Sequence, residues 1–154
     1  MTAVEPQNRK DILSSIFRRR GANGTYTRLF DNLDVLQKER LLSTIELRDD
    51  ELSVIGSMPN ADNCALLTTR RLVWYFEGAR RCVLMEDIRD VVADFNKHNY
   101  GSDTKQKLNE LIVVTMDRGK QLITLELGAP LFGTWNVLKN VGSVNRNRVA
   151  RIPT

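Results

Sequence analysis

Side chains able to do chemistry are few in this chain and widely spaced. Its one histidine, His98, stands among Asn96, Lys97 and Asn99. Acid–base or nucleophilic catalysis on it needs a second positioned group, and no neighbouring residue supplies one. Cys64 and Cys82 are the only cysteines. With His98 they fall short of a metal-ligand set, and they are expected as buried, reduced thiols on neighbouring strands. Gly21-Ala22-Asn23-Gly24 lacks the Lys-Ser/Thr that would grip nucleotide phosphates. The carboxylates are dispersed through turns and polar faces. The sequence therefore predicts a protein that is not an enzyme and holds neither cofactor nor metal.

What remains are arginines. Arg70 and Arg71 precede one strand-like run and Arg80 and Arg81 open the next. Together with the polar loop holding His98 and Tyr100 they form the candidate binding surface, against a plainer account as charges that guard a strand edge from aggregation. A second cluster, Arg18, Arg19 and Arg20, closes a helix-like segment, where cations complement the helix dipole; it is also the candidate for contact with an anionic surface. No aromatic residues are interleaved to stack bases, so no specific nucleic acid is expected. The net charge of +4 is concentrated in residues 101–154, with 8 basic against 4 acidic side chains, including Arg146, Arg148 and Arg151.

These groups have to be carried by something. Residues 72–76, LVWYF, alternate Leu72, Trp74 and Phe76 with Val73 and Tyr75, as a pleated strand does. Glu77-Gly78-Ala79 is a hairpin loop leading to a strand over 80–85, with further strands over 64–67 and 88–95. Residues 51–56 read as the first strand, 57–62 as the loop after it, and 111–116 and 121–127 as two strands joined through Asp117-Arg118-Gly119-Lys120. A helix starting at Pro130 presents Leu131, Trp135, Leu138 and Val141 on one face, with Trp135 as its anchor and Gly142 as its stop. Upstream, helices are predicted over 6–20 and 32–47, the second capped by Asp31 or Asn32, with 22–27 as loop. At 154 residues the chain has room for one core-forming domain. Its apolar runs are far shorter than the ~20 residues of a membrane span. The first ten residues hold no apolar signal core, so a cytoplasmic location is expected.

The order Leu67-Thr68-Thr69-Arg70-Arg71-Leu72, the pair Tyr75-Phe76, Gly78, and then Leu84-Met85-Glu86-Asp87-Ile88-Arg89-Asp90-Val91 resembles the bacterial pleckstrin-homology-like and GRAM-like domains, over about residues 51–142. The resemblance implies an α+β fold: a bent antiparallel sheet or partly open barrel of about seven strands, capped by a C-terminal helix. The division that follows is a two-helix extension over 1–48, the pleckstrin-homology-like domain over 49–143, and a flexible basic tail over 144–154.

It also implies a non-enzymatic module of a bacterial cytoplasmic protein that binds a protein partner or self-assembles through strand edges and loops. Two alternatives stand beside it, a peripheral binder of anionic membrane surfaces and a toxin-neutralising immunity protein. In eukaryotic pleckstrin-homology domains, basic residues around the first loop hold the lipid head group. Here that stretch, 57–62, has no Lys or Arg and carries Asp62.

Overall fold

A computed structural model describes residues 4–93 and 110–150. It is an α+β arrangement of two antiparallel sheets and three helices. The chain runs α1 (Val4–Arg20), β1 (Thr27–Leu29), a 3-10 turn at Phe30–Asn32, α2 (Val35–Thr44), β2 (Ser53–Asn60), β3 (Asn63–Thr68), β4 (Arg71–Phe76), β5 (Ala79–Leu84), a second 3-10 turn at Met85–Asp87, β6 (Ile88–Val92), β7 (Glu110–Thr115), β8 (Lys120–Thr124) and α3 (Ala129–Ala150). One sheet has the order β1-β2-β3-β4-β5 and the other β6-β7-β8; among the described residues they do not join into a closed barrel.

The alternation in β4 holds on both faces. Leu72 and Trp74 enter the larger core, built with α1, α3 and both sheets, while Val73 and Tyr75 enter a smaller core with Phe30, Leu33, Leu41 and Ile45. β3 divides in the same way, Ala65 and Leu67 to one side and Cys64 and Leu66 to the other. The five-stranded sheet is thus covered on its outer face by α2 and the turn before it. Helix α2 begins two residues later than expected from an Asn32 N-cap. Asp34 is the cap, accepting from the Gln37 amide at 2.7 Å while the Gln37 side chain accepts from the Asp34 amide at 3.2 Å.

Among the described residues eight strands are present where about seven are expected. The additional one is β1, in the stretch read as loop, pairing Thr27, Arg28 and Leu29 with Ser57, Gly56 and Ile55. The predicted loop over 57–62 is also strand as far as Asn60. Pro59 is accommodated because β1 does not reach it and the β2–β3 register shifts there. Glu77 and Gly78 both have positive φ, 50° and 84°, giving the two-residue turn whose twist suits a β-hairpin.

Helix α3 differs most from its sequence reading. It passes through Gly142 and continues to Ala150, so residues 144–150 are helical. Gly142 marks a close approach: a Cβ there would lie 2.6 Å from the carbonyl oxygen of Arg89. Just beyond it, buried Asn145 donates to the carbonyls of Met85 and Ile88, both at 2.7 Å, fastening α3 to the corner between the sheets. Trp135 is half-buried and donates to the Val91 carbonyl at 3.4 Å. The fully buried tryptophan is Trp74, 2% exposed, whose indole donates to the Leu122 carbonyl at 3.1 Å. α1 runs antiparallel to α3, its end packed so tightly on the start of α3 that a Cβ at Gly21 would meet Gly133 Cα at 2.5 Å.

Candidate functional site

The two-arginine turn between β3 and β4 is held by hydroxyl groups. Thr68 Oγ1 accepts from the amides of Arg70 and Arg71 at 3.1 and 3.0 Å, and Thr69 Oγ1 accepts from the Leu52 amide at 3.1 Å. This geometry turns the two arginines in opposite directions. Arg70 points out and pairs with Asp50, both partly exposed. Arg71 points in, where its Nε and Nη2 donate to the Glu51 carboxylate at 2.8 and 3.1 Å and Nη2 also to the Glu46 carbonyl at 2.6 Å. Burial acts to raise the Glu51 pKa, but the hydrogen bonds from Arg71 and Thr68 outweigh it and hold the carboxyl below the usual glutamate range. Arg71 is thus a structural residue, committed to Glu51.

Arg70 stands at the edge of a groove walled by α1 and α3. One half, about 410 Å³, has an apolar floor of Pro6, Ile12, Leu13, Val141 and Val144. The adjoining half, about 550 Å³, is lined by Arg9, Arg48, Arg70 and Arg148 and also by Asp50 and Glu86. The two share Arg9, Asp50, Thr69, Arg70 and Val144 and form one continuous depression. Loss of solvent within the groove, and then the guanidiniums of Arg70 and Arg148, push the Arg9 pKa below the usual arginine range. Among the described residues, the side chains of Arg9, Arg48 and Arg148 make no ion pair within 4.0 Å and no hydrogen bond.

Arg80 and Arg81 lie elsewhere. Arg80 pairs with Tyr75 and Arg81 with Trp74, at the opposite end of β4 from Arg71, so the four arginines do not form one surface. Both are exposed on β5, the outer strand of its sheet. Farther along, β5 borders a cleft of about 490 Å³, lined by Cys82, Val83 and Leu84, by Asp87, and by residues of the β7–β8 hairpin including Asp117 and Lys120. Arg18, Arg19 and Arg20 are exposed at the end of α1. Arg146, assigned to the basic tail by sequence, is tied instead to the Arg89 carbonyl and lies 3.8 Å from Asp90. His98, Tyr100 and Arg151 lie outside the described residues.

Cys64 and Cys82 are not on adjacent strands: β4 runs between β3 and β5. Both thiols are free. Burial pushes the Cys64 thiol up to about 11, which leaves it protonated and unreactive near neutrality. Among the described residues no His, Cys, Asp and Glu cluster could hold a metal ion, and no helix is long and apolar enough to cross a membrane. No protein-family model, curated protein or solved structure matches the chain.

Proposed function

We propose that this chain is a non-enzymatic binding module of the pleckstrin-homology-like kind, working by contact with a protein partner or with a second copy of itself. The element order supports the reading: a four-strand meander, β2 to β5, then three strands, β6 to β8, then a long closing helix. The single observation that carries it is the open seam. Among the described residues, β5 and β8 end their sheets, and the cleft between β5 and the β7–β8 turn holds no strand. Such an edge keeps backbone donors and acceptors available to an added strand, and exposed Arg80 and Arg81 select for an acidic one.

The test is a native pull-down with mass spectrometry beside light scattering of the purified chain, each repeated with Arg80→Glu/Arg81→Glu. One captured protein, or a dimer, that disappears in the variant while its melting temperature is unchanged supports the seam. Capture of a toxin favours the immunity-protein alternative. Binding confined to anionic vesicles at low salt favours the membrane alternative and removes this reading, as does the absence of both a partner and self-association.

A further inference from the structure

We propose that the arginine half of the α1–α3 groove is an anion site for the phosphate monoester of a small amphipathic molecule, whose apolar part lies along Ile12, Leu13, Val141 and Val144. The site is distinct from the β5 seam, and the inference goes beyond the reading given above.

Four arginines from four separate segments line one depression, Arg9 from α1, Arg48 from the stretch before β2, Arg70 from the β3–β4 turn and Arg148 from α3, and the guanidiniums of Arg70 and Arg148 lie near enough to Arg9 to act on it. A solvated protein face spreads its charges apart. Here Arg9, though exposed, loses part of its solvation to the groove and is repelled by the guanidiniums of Arg70 and Arg148, and among the described residues no carboxylate lies within ion-pair reach of it. The position of Arg148 in the last turn of α3, where the dipole favours a cation, accounts for one of the four on local grounds. It does not account for the others. Only Arg70 has a partner, Asp50.

Three arginines without an ion pair among the described residues match a group with three acceptor oxygens better than a carboxylate with two, because each planar fork needs its own oxygen edge. The concave setting disfavours a flat anionic membrane, and of the two carboxylates that also line it, Asp50 is already paired with Arg70. The adjoining apolar floor decides the rest of the ligand. Ile12 and Val144 border the groove yet are 51% and 56% exposed, an apolar surface that a bare inorganic ion would leave wet.

The probes are inorganic phosphate and hexyl phosphate, titrated into the full chain by calorimetry and amide-shift mapping. Both are expected to bind, hexyl phosphate at least about tenfold more tightly, since burying two or three methylenes suffices for that ratio. Arg9→Gln/Arg148→Gln, both at exposed positions, should weaken both probes by at least about tenfold at unchanged melting temperature. Ile12→Ser should remove the advantage of the hexyl chain while inorganic phosphate binds as before. The proposal is overturned if neither probe binds at millimolar concentration or if the arginine variant binds like the parent. Equal affinity for the two probes overturns its amphipathic part. Anionic vesicles that pellet the parent chain but not the arginine variant would assign these arginines to a membrane.

Discussion

Glu51 and Arg71 form an ion pair sealed from solvent, with their side chains 0% and 4% exposed and two guanidinium nitrogens on the two carboxylate oxygens. Thr68 donates to the same carboxylate at 2.6 Å, so the acid is satisfied from two sides. Removing one partner strands the other as a buried charge. Arg71→Met or Glu51→Gln should therefore lower unfolding free energy by about 3–5 kcal/mol. The double substitution Glu51→Leu/Arg71→Met should recover most of that loss, since desolvation then disappears with the attraction. Urea denaturation of the four proteins checks both statements; a double variant as unstable as the worse single one would contradict the second.

Acidification should destabilise the fold through two glutamates. Burial pushes the Glu126 pKa upward, but its carboxylate accepts from the amides of Thr25, Tyr26 and Thr27 at 2.7, 2.8 and 2.9 Å, and the balance lies below the ordinary glutamate value. Glu51 is displaced in the same direction. Folded pKa values below the unfolded ones mean that the unfolded chain binds more protons on acidification. The stabilisation is complete above the ordinary value of 4.5 and is lost as pH falls through the folded values. Denaturation midpoints should change little between pH 7 and about 5 on this account and drop below that. Glu126→Gln should make the drop shallower.

Two glycines in α3 should resist any side chain. A methyl at Gly142 would press on the Arg89 backbone, and one at Gly133 would lie 2.7 Å from the Phe17 ring with Gly21 Cα at 3.2 Å. Either change to alanine should destabilise by about 1–3 kcal/mol despite the better helix propensity. Asn147→Ala, at an exposed position of the same helix, should leave stability unchanged or raise it slightly. Thermal melts of the three variants test the contrast.

The tryptophans should separate in the same way. Trp74→Ala should cost about 3–5 kcal/mol, as a cavity opens in the larger core. Trp135→Ala should cost clearly less, because its ring is only partly enclosed and lies against Phe132 and the Lys139 ammonium. Equal losses would contradict this ranking.

What the sequence made legible follows the range of each interaction. β3 to β6 were readable because alternation and hairpin residues are local, and the two-faced burial of Leu72 to Tyr75 is written in that alternation. β1 was not, since three residues are too few for a period and its partner lies about thirty positions away. Gly142 carries the same letter whether it ends a helix or admits a neighbouring backbone; the choice is made by Arg89. Likewise Arg70 and Arg71 are adjacent in sequence, and only Glu51 and Asp50, twenty residues earlier, separate an inward from an outward role. The groove had no signal of its own, because Arg9 and Arg148 come from opposite ends of the chain.

The three amides gathered by Glu126 also set an order of events. Residues 25–27 are made about a hundred residues before the carboxylate that fixes them and the helix that covers α1. A growing chain can close the local hairpins of β2 to β5 at once, whereas α1 must wait, apolar stripe uncovered, until α3 has been made. Such late, long-range closure slows folding. It also leaves α1 and β1 the elements most in need of a chaperone until then.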